Sequence, residues 1–420
     1  MLLYIEKQLS YIDPFSSIAL HPGKQRSRAT PIIAKGSVYP LTDSPNQFTK
    51  TCDIAAYCFY RKDAPMKRIF YVKDFFADAK NDSEAIEACF AAAKDIAESK
   101  TVVFDGKDYF IDRAILIPSD TQVIVDNCTI KQNDFVFDNV FRGDNLIING
   151  IDPYGTPVDV KPIRNIKIIG KGDAKVIGTD KPQIGYHPFF KEYQAMTGDF
   201  WGWRTHMFSV SFCDGFELSG LKLGQTMCWA ICFDHCQQCY VHDIDIRSDV
   251  KNGDGINFRS GCHDCVVENV TGFTSDDTVA CTALSRGKHA RPLSKYLSVL
   301  EPYNASHENI DGSIHHIRIH NILTGGFHHG VICLSAYGNQ VHDIEISNVR
   351  ETDEGGREAT VKIYTGYGDG YHAGDIHDVK ICNVVSKKAK YALMVNCEAE
   401  NLAAENIVQE NPEGEIYFNG

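Results

Sequence analysis

The chain has 420 residues, 43% of them hydrophobic and 23% charged, which excludes disordered and collagen-like architectures. Its net charge of −13 argues against a nucleic-acid partner, because phosphate binding needs a basic face. No apolar run approaches the ~18 residues of a membrane span, and Glu6 and Lys7 interrupt the stretch where a secretory peptide would be apolar. We therefore expect a cytoplasmic protein without a membrane partner.

Two domains are predicted along the chain. Residues 1–70 are rich in turn signals and are predicted to form a small β or irregular segment packed on residues 71–420, which form the catalytic domain. A helix is predicted after Asn81, Asp82 and Ser83, because capping residues precede an apolar stripe. The stripe consists of Ala85, Ile86, Cys89, Phe90, Ala93, Ile96 and Ala97. This helix would cover the open N-terminal end of the strands that follow.

A short pattern then recurs, in which alternating apolar residues are followed by Asn, Asp or Gly. Copies begin at positions 123, 216, 239, 265, 317, 344, 379 and 402. Alternation with period two indicates a strand with one buried face, and the Asn or Gly suits a sharp left-handed turn. Repetition about every 25 residues predicts a solenoid. The fold class is therefore all-β, a right-handed parallel β-helix with an N-terminal capping helix.

The chain has 15 cysteines, and two pairs have CxxC spacing: Cys236 with Cys239, and Cys262 with Cys265. That spacing also occurs in zinc sites. Cys239 and Cys265 occupy the same apolar position of the repeat, however, which favours buried core residues. We predict neither a metal nor a cofactor.

Two segments without the repeat are predicted to be loops over one face. Residues 179–206 are aromatic-rich and include Phe200, Trp201 and Trp203, which are candidate stacking platforms for sugar rings, whereas Trp229 lies inside a coil. The second loop carries the basic residues Arg286, Lys288, His289, Arg291 and Lys295. If it folds over the cleft, it offers an anion-binding rim, and the alternative is a solvated charged loop.

Acidic residues cluster where the repeat is most regular. Asp254 ends one coil, and Asp276 and Asp277 follow 22 residues later, about one coil further on. Their carboxylates should therefore stack on one face, which separates their pKa values and keeps one protonated. Glycosidic cleavage needs such an acid and base. A turn is the alternative for Gly253-Asp254-Gly255 alone.

Two further candidates lie downstream. His329 precedes a glycine on the coil after the acidic pair and its excursion, so it is a candidate for the same face. Lys362 and Tyr364 alternate on one strand face, where they would hold a sugar carboxylate or hydroxyls.

The order of these motifs resembles glycoside hydrolase family 28, the polygalacturonase family, over residues 70–410. That family carries N-T-D, D-D, G-H-G and R-I-K along a parallel β-helix. Here the motifs read Asn252-Gly253-Asp254, Asp276-Asp277, His328-His329-Gly330 and Lys362-Ile363-Tyr364. Lys362 thus takes the Arg position, Tyr364 takes the Lys position, and Asn257 stands where an Asp commonly follows the first motif.

The resemblance implies a role for each matching residue. Asp276 would be the general acid, Asp254 and Asp277 would hold and deprotonate the attacking water, and inversion would follow. His329 would tune the protonation of this cluster and contact substrate. The substrate-binding residues would be Asn252, Lys362, Tyr364, Arg286, Lys288 and Arg291.

We therefore predict an inverting glycoside hydrolase whose partner is an oligosaccharide of pectin-type or another uronate-containing glycan, with an exo-acting mode. A polysaccharide lyase or uronate epimerase on the same fold is the first alternative, with Lys362 or Tyr364 as base. A non-catalytic carbohydrate-binding β-helix, such as a phage tailspike subunit, is the second.

Overall fold

The computed structural model describes residues 68–94, 96, 98–149, 156–181, 183–187, 192–196, 205–284, 311–366 and 370–420. Residues 1–67, most of the predicted N-terminal domain, lie outside this range. The three loop aromatics at 200, 201 and 203 and the basic loop at 286–295 also lie outside it. Among the described helices, none is long and apolar enough to cross a membrane.

The N-terminal end carries a 3-10 turn at Val72–Phe75 and one α-helix, α1 (Asp82–Lys94). The Asn81 side chain accepts a hydrogen bond from the Glu84 amide, which satisfies one free donor of the first turn, and the Glu84 carboxylate accepts one from the Lys80 amide just before the helix. The apolar stripe is buried from Ala85 to Ala93. The helix ends at Lys94, so the predicted extension to Ile96 is wrong.

Parallel pairing builds two long sheets. The first sheet has 15 strands: β1 (Arg68–Tyr71), β2 (Lys100–Phe104), β3 (Tyr109–Ile111), β5 (Thr121–Asp126), β6 (Thr129–Gln132), β10 (Ile163–Lys171), β11 (Lys175–Ile177), β15 (Cys213–Ser219), β16 (Lys222–Gly224), β18 (Gln237–Ser248), β20 (His263–Thr274), β22 (Ile314–Gly326), β24 (Val341–Gly355), β26 (Ile376–Ser386) and β28 (Ala403–Gln409).

The second sheet has 10 strands: β4 (Ile115–Ile117), β7 (Phe141–Gly143), β14 (Phe208–Ser211), β17 (Ile231–Asp234), β19 (Ile256–Arg259), β21 (Val279–Ala283), β23 (His329–Ser335), β25 (Ala359–Thr365), β27 (Tyr391–Asn396) and β29 (Glu415–Asn419). Two hairpins lie beside them: β8 (Leu146–Asn149) with β9 (Thr156–Val160), and β12 (Gln183–His187) with β13 (Glu192–Met196). Because successive strands of each sheet come from successive coils, the chain forms a right-handed parallel β-helix, as predicted.

The recurring Asn or Asp bends each long strand of the first sheet. Asp243, Asn269, Asn321, Asn348, Asn383 and Asn406 all have φ between 54° and 57°. Each asparagine of this series donates a side-chain hydrogen bond to the preceding member, at 3.0–3.2 Å. The left-handed turn predicted from the repeat is therefore confirmed, and we call this series the asparagine ladder.

Alternate residues of the strands fill the interior, which forms one continuous apolar core. Cys236, Cys239, Cys262 and Cys265 are all buried there. Cys239 and Cys265 lie one coil apart, since the adjacent residues Tyr240 and Val266 pair across β18 and β20. The CxxC pairs are thus core residues, as the repeat predicted.

Candidate active site

Three titratable side chains lie in one row at the N-terminal ends of neighbouring strands of the second sheet. Asp254, Asp277 and His329 each stand two residues before the mutually paired residues Ile256, Val279 and Val331 of β19, β21 and β23. The backbone continues the pairing into this row, because the Gly255 amide donates to the Asp277 carbonyl. The structure therefore brings these residues of three successive coils together.

Asp276 joins Asp254 and Asp277 in a compact group of carboxylates. One oxygen of each lies within 4.8 Å of the other two. Asp254 and Asp277 are buried, whereas Asp276 is half-buried and its Oδ1 accepts a hydrogen bond from the Asp277 amide. A water molecule that donates to two carboxylates at about 2.8 Å each spans a gap of this size.

His329 lies between two carboxylates. Its Nδ1 is 2.6 Å from Asp277 Oδ1, and its Nε2 is 2.9 Å from Glu358 Oε2. Ionised carboxylates only accept, so this arrangement needs both ring nitrogens to donate and favours the imidazolium. Burial opposes that charge, but the attraction and hydrogen bond of Asp277, with the hydrogen bond of Glu358, prevail and raise the pKa of His329.

Glu358 also binds Lys362, whose Nζ donates to Glu358 Oε2 at 2.6 Å. The hydrogen bond from His329, followed by that from Lys362, lowers the pKa of Glu358 to about 2. Asp277, His329, Glu358 and Lys362 thus form a continuous polar chain, in which negative and positive groups alternate.

The buried ion pair of Arg357 with Glu351 lies next to this row. The Arg357 guanidinium is 3% exposed and donates to the hydroxyls of Thr278 and Thr324. Burial lowers its pKa to about 10, so it stays charged at neutral pH, and Glu351 lies 3.8 Å away. Arg357 therefore anchors the residue that follows Asp277 to the neighbouring coils.

The remaining predicted residues lie around this row. Asn252 occupies the turn before Asp254, with φ of 50°, which asparagine tolerates better than most residues. Lys362 and Tyr364 share the outer face of β25, with Nζ 5.0 Å from the ring centre of Tyr364. Burial raises the pKa of Tyr364. The other three predicted substrate-binding residues, Arg286, Lys288 and Arg291, lie outside the described residues.

Aromatic residues flank the carboxylates. Phe327 is 55% exposed, and its ring packs edge-on against Phe273 at 5.4 Å. The adjacent His328 places Nδ1 3.7 Å from Asp276 Oδ1. Trp229 is buried and stacks on His206, as its position inside a coil predicted.

Sequence reasoning missed Glu358 and Arg357. A signal for Glu358 exists, because the alternation that places Lys362 and Tyr364 on one face also includes Thr360 and Glu358. Arg357 has no such signal. Its role depends on contacts with residues 33 and 79 positions away.

Within the described part of the chain, the same three carboxylates are also the one group close enough to hold a metal ion. Carboxylate oxygens suit a hard divalent cation. His329 already contacts Asp277, with Nδ1 2.6 Å from Asp277 Oδ1, so a metal ion would compete with this ring for that carboxylate. We therefore treat the group as acid and base residues.

Comparisons with known proteins define the fold of the chain. No family model matches it, and no curated protein sequence does. Similar solved structures include an iota-carrageenase of family GH82 from A. fortis, with 11% identity over 87% of this chain and 94% of that one and a TM-score of 0.56. The polygalacturonase of Erwinia carotovora ssp. carotovora is 13% identical over 86% of this chain and 97% of that one, with a TM-score of 0.50.

A third similar structure is the tailspike protein of E. coli bacteriophage HK620. It is 12% identical over 83% of this chain and 65% of that one, with a TM-score of 0.53. At these identities the likeness establishes the right-handed parallel β-helix fold that the chain shares with these carbohydrate-binding proteins.

Proposed function

We propose that this protein is a glycoside hydrolase that cleaves oligosaccharides with inversion at the anomeric carbon. The observation that carries the proposal is the row of Asp254, Asp277 and His329 on three successive coils, with Asp276 beside it. The similar structures include a polygalacturonase and an iota-carrageenase, and the tailspike is complexed with a pentasaccharide, which supports a carbohydrate substrate.

In the proposed reaction Asp276 is the general acid. It is the most accessible of the three carboxyl groups, so it can reach the glycosidic oxygen. Asp276 gives its proton to that oxygen as the bond to the anomeric carbon breaks. Asp254 and Asp277 hold a water molecule between them, and the water oxygen attacks the same carbon from the opposite side. One of these two carboxylates takes the proton of the water.

His329 has a positioning and substrate-contacting role in this scheme. By donating its Nδ1–H to Asp277, it fixes the carboxylate that holds the water. Lys362, Tyr364 and Asn252 are the proposed substrate-binding residues and would contact sugar hydroxyls. A pectin-type or other uronate-containing glycan and an exo-acting mode remain predictions from the sequence.

The geometry does not favour the lyase or epimerase alternative. Both reactions need a base that removes a proton next to a carboxylate. Burial raises the pKa of Tyr364, which makes its phenolate less accessible, and the Lys362 ammonium is paired with Glu358.

The proposal is tested with a panel of neutral and uronate-containing oligosaccharides, with and without chelator. We expect new reducing ends, no near-ultraviolet absorbance and no chelator effect. Asp276→Asn should lower kcat by about 10³-fold, since it removes the general acid. The matched control is Asp353→Asn, whose side chain is 82% exposed. An absorbing product, or unchanged turnover in Asp276→Asn, would contradict the proposal.

Proton NMR of the first product decides the stereochemistry. In most inverting enzymes the carboxyl groups of the general acid and the general base stand about 6.5–9.5 Å apart, which leaves room for the attacking water. The present group is tighter, with oxygens within 4.8 Å. We expect inversion because, in the proposed reaction, a water held by Asp254 and Asp277 attacks the anomeric carbon directly, and the first product should be the anomer opposite to the substrate. Retention would instead indicate a covalent intermediate on one of these aspartates.

A further inference from the structure

Glu358 is an acidic residue of the protein that is already paired with Lys362, the cation that the carboxylate of an acidic sugar would bind. Its Oε2 accepts hydrogen bonds from both Lys362 and His329. Its side chain is 45% exposed, so the carboxylate is also accessible to a ligand. Because both contacts use Oε2, Oε1 is the oxygen that a ligand hydroxyl would approach.

Negative charge exceeds positive charge around this position. Among the described residues, the site has four acidic side chains, Asp254, Asp276, Asp277 and Glu358, and three of them carry charge when Asp276 holds the proton that it donates. Two basic side chains, Lys362 and His329, contact these acids: Lys362 is bonded to Glu358, and His329 is bonded to both Asp277 and Glu358. Arg357 adds no charge to the surface, because it is buried beside Glu351.

We propose that the sugar ring bound against Glu358 and Lys362 is neutral, and that Glu358 is the residue that rejects an acidic sugar there. This inference rests on the proposed function and narrows its substrate. Glu358 Oε2 lies only 2.6 Å from Lys362 Nζ. A uronate carboxylate bound to the same nitrogen would therefore lie beside the Glu358 carboxylate, and the two negative charges would repel each other. A neutral sugar avoids this repulsion, because a hydroxyl donates to Glu358 and accepts from Lys362. Acidic units of the glycan would therefore bind elsewhere.

The test compares two oligosaccharides that differ only at C6 of the ring bound here, which carries either a hydroxymethyl group or a carboxylate. Dissociation constants by calorimetry and kcat/KM are measured for the wild type, Glu358→Gln and Glu358→Asp. Glu354→Gln is the matched control, because Glu354 is also exposed and ion-paired, with Arg247 at 2.8 Å. For each variant, the value for one ligand is divided by the value for the other. This ratio cancels any change in affinity or rate that is common to both ligands.

We expect the wild type to bind the neutral ligand at least about tenfold more tightly, as one well-placed like charge permits. Glu358→Gln should reduce this preference about tenfold by strengthening binding of the acidic ligand. Glu358→Asp keeps the charge and should retain the preference, as should Glu354→Gln.

Tighter binding of the acidic ligand by the wild type, an unchanged ratio in Glu358→Gln, or no binding of either ligand would overturn the inference. Binding is measured independently of turnover. Selective binding without hydrolysis would therefore contradict the proposed reaction and leave the specificity of the site established.

Discussion

The imidazole ring of His329 contacts the carboxylates of both Asp277 and Glu358, so the protonation state of the ring affects the whole site. Deprotonation would leave a ring nitrogen lone pair facing Asp277 or Glu358, which replaces an attraction with a repulsion. The pKa of His329 is raised, so the group binds its proton more tightly in the folded protein than in the unfolded chain. Its contribution to stability is complete below the ordinary value of about 6.5 and is lost as the pH rises through the raised value.

The pH dependence of catalysis should report the titration of His329. We expect the alkaline limb of kcat/KM to lie above pH 6.5, because loss of one His329 proton removes one of the two hydrogen bonds that the ring donates to Asp277 and Glu358. In Glu358→Gln one carboxylate partner is gone, the pKa of His329 falls, and the limb should move to lower pH. Rate profiles on one substrate measure the shift.

Glu354→Gln is the control for this profile as well, since Glu354 pairs with Arg247 and not with His329. A limb that stays in place in Glu358→Gln would show that a different group controls the alkaline side.

The asparagine ladder determines the shape of each coil. Its members adopt φ near 55°, a region that costs an ordinary L-residue about 1–2 kcal/mol. Asparagine tolerates it, and its amide also bridges the coils by donating to one neighbour while its oxygen accepts from the next. Backbone geometry and hydrogen bonding therefore select the same residue type.

Substitution of Asn348 separates these two effects. Asn348→Ala loses the hydrogen bonds with Asn321 and Asn383 and places a Cβ at positive φ, so we expect a loss of about 2–3 kcal/mol. Asn348→Gly loses the same hydrogen bonds without the strain and should cost less than Ala. Urea unfolding gives both values. Equal losses for Ala and Gly would show that the left-handed backbone contributes nothing.

For the molecule as a whole, cysteine acts as a small apolar residue. Of the 13 free cysteines among the described residues, all but Cys382 and Cys397 are buried. Burial raises the pKa of thiols such as Cys89, to about 12, and Cys128, to about 11, so these groups stay protonated and unreactive. Their accessibility therefore reports the integrity of the solenoid.

Thiol titration provides the test. In the native protein we expect Ellman's reagent to leave the 11 buried cysteines unmodified, and guanidinium to expose all 15 of the chain. At most Cys382, Cys397, Cys52 and Cys58 should react without denaturant. Rapid native modification of more than four thiols would mean that coils open locally, without global unfolding.

Much of the architecture could be predicted because its signals are local. The alternation in segments such as Cys239–Ile244 reports which face is buried, and the following Asp or Asn reports the turn. The spacing of Asp254 and Asp276 is close to one coil, and in a solenoid an offset of one coil means adjacency. The helix end was less predictable, since Ile96 continues the apolar stripe although α1 ends at Lys94.

The repeat alone predicts the solenoid, its corners and the row in which Asp254, Asp277 and His329 stand, because a repeat converts position along the chain into position in space. The pairing of charges at the site, by contrast, depends on how the coils fold against one another. Glu358 and Arg357 are neighbours in the chain, yet Glu358 contacts His329 and Lys362, whereas Arg357 is buried beside Glu351. Those directions depend on partners in other coils, which bring together charges that local sequence keeps apart.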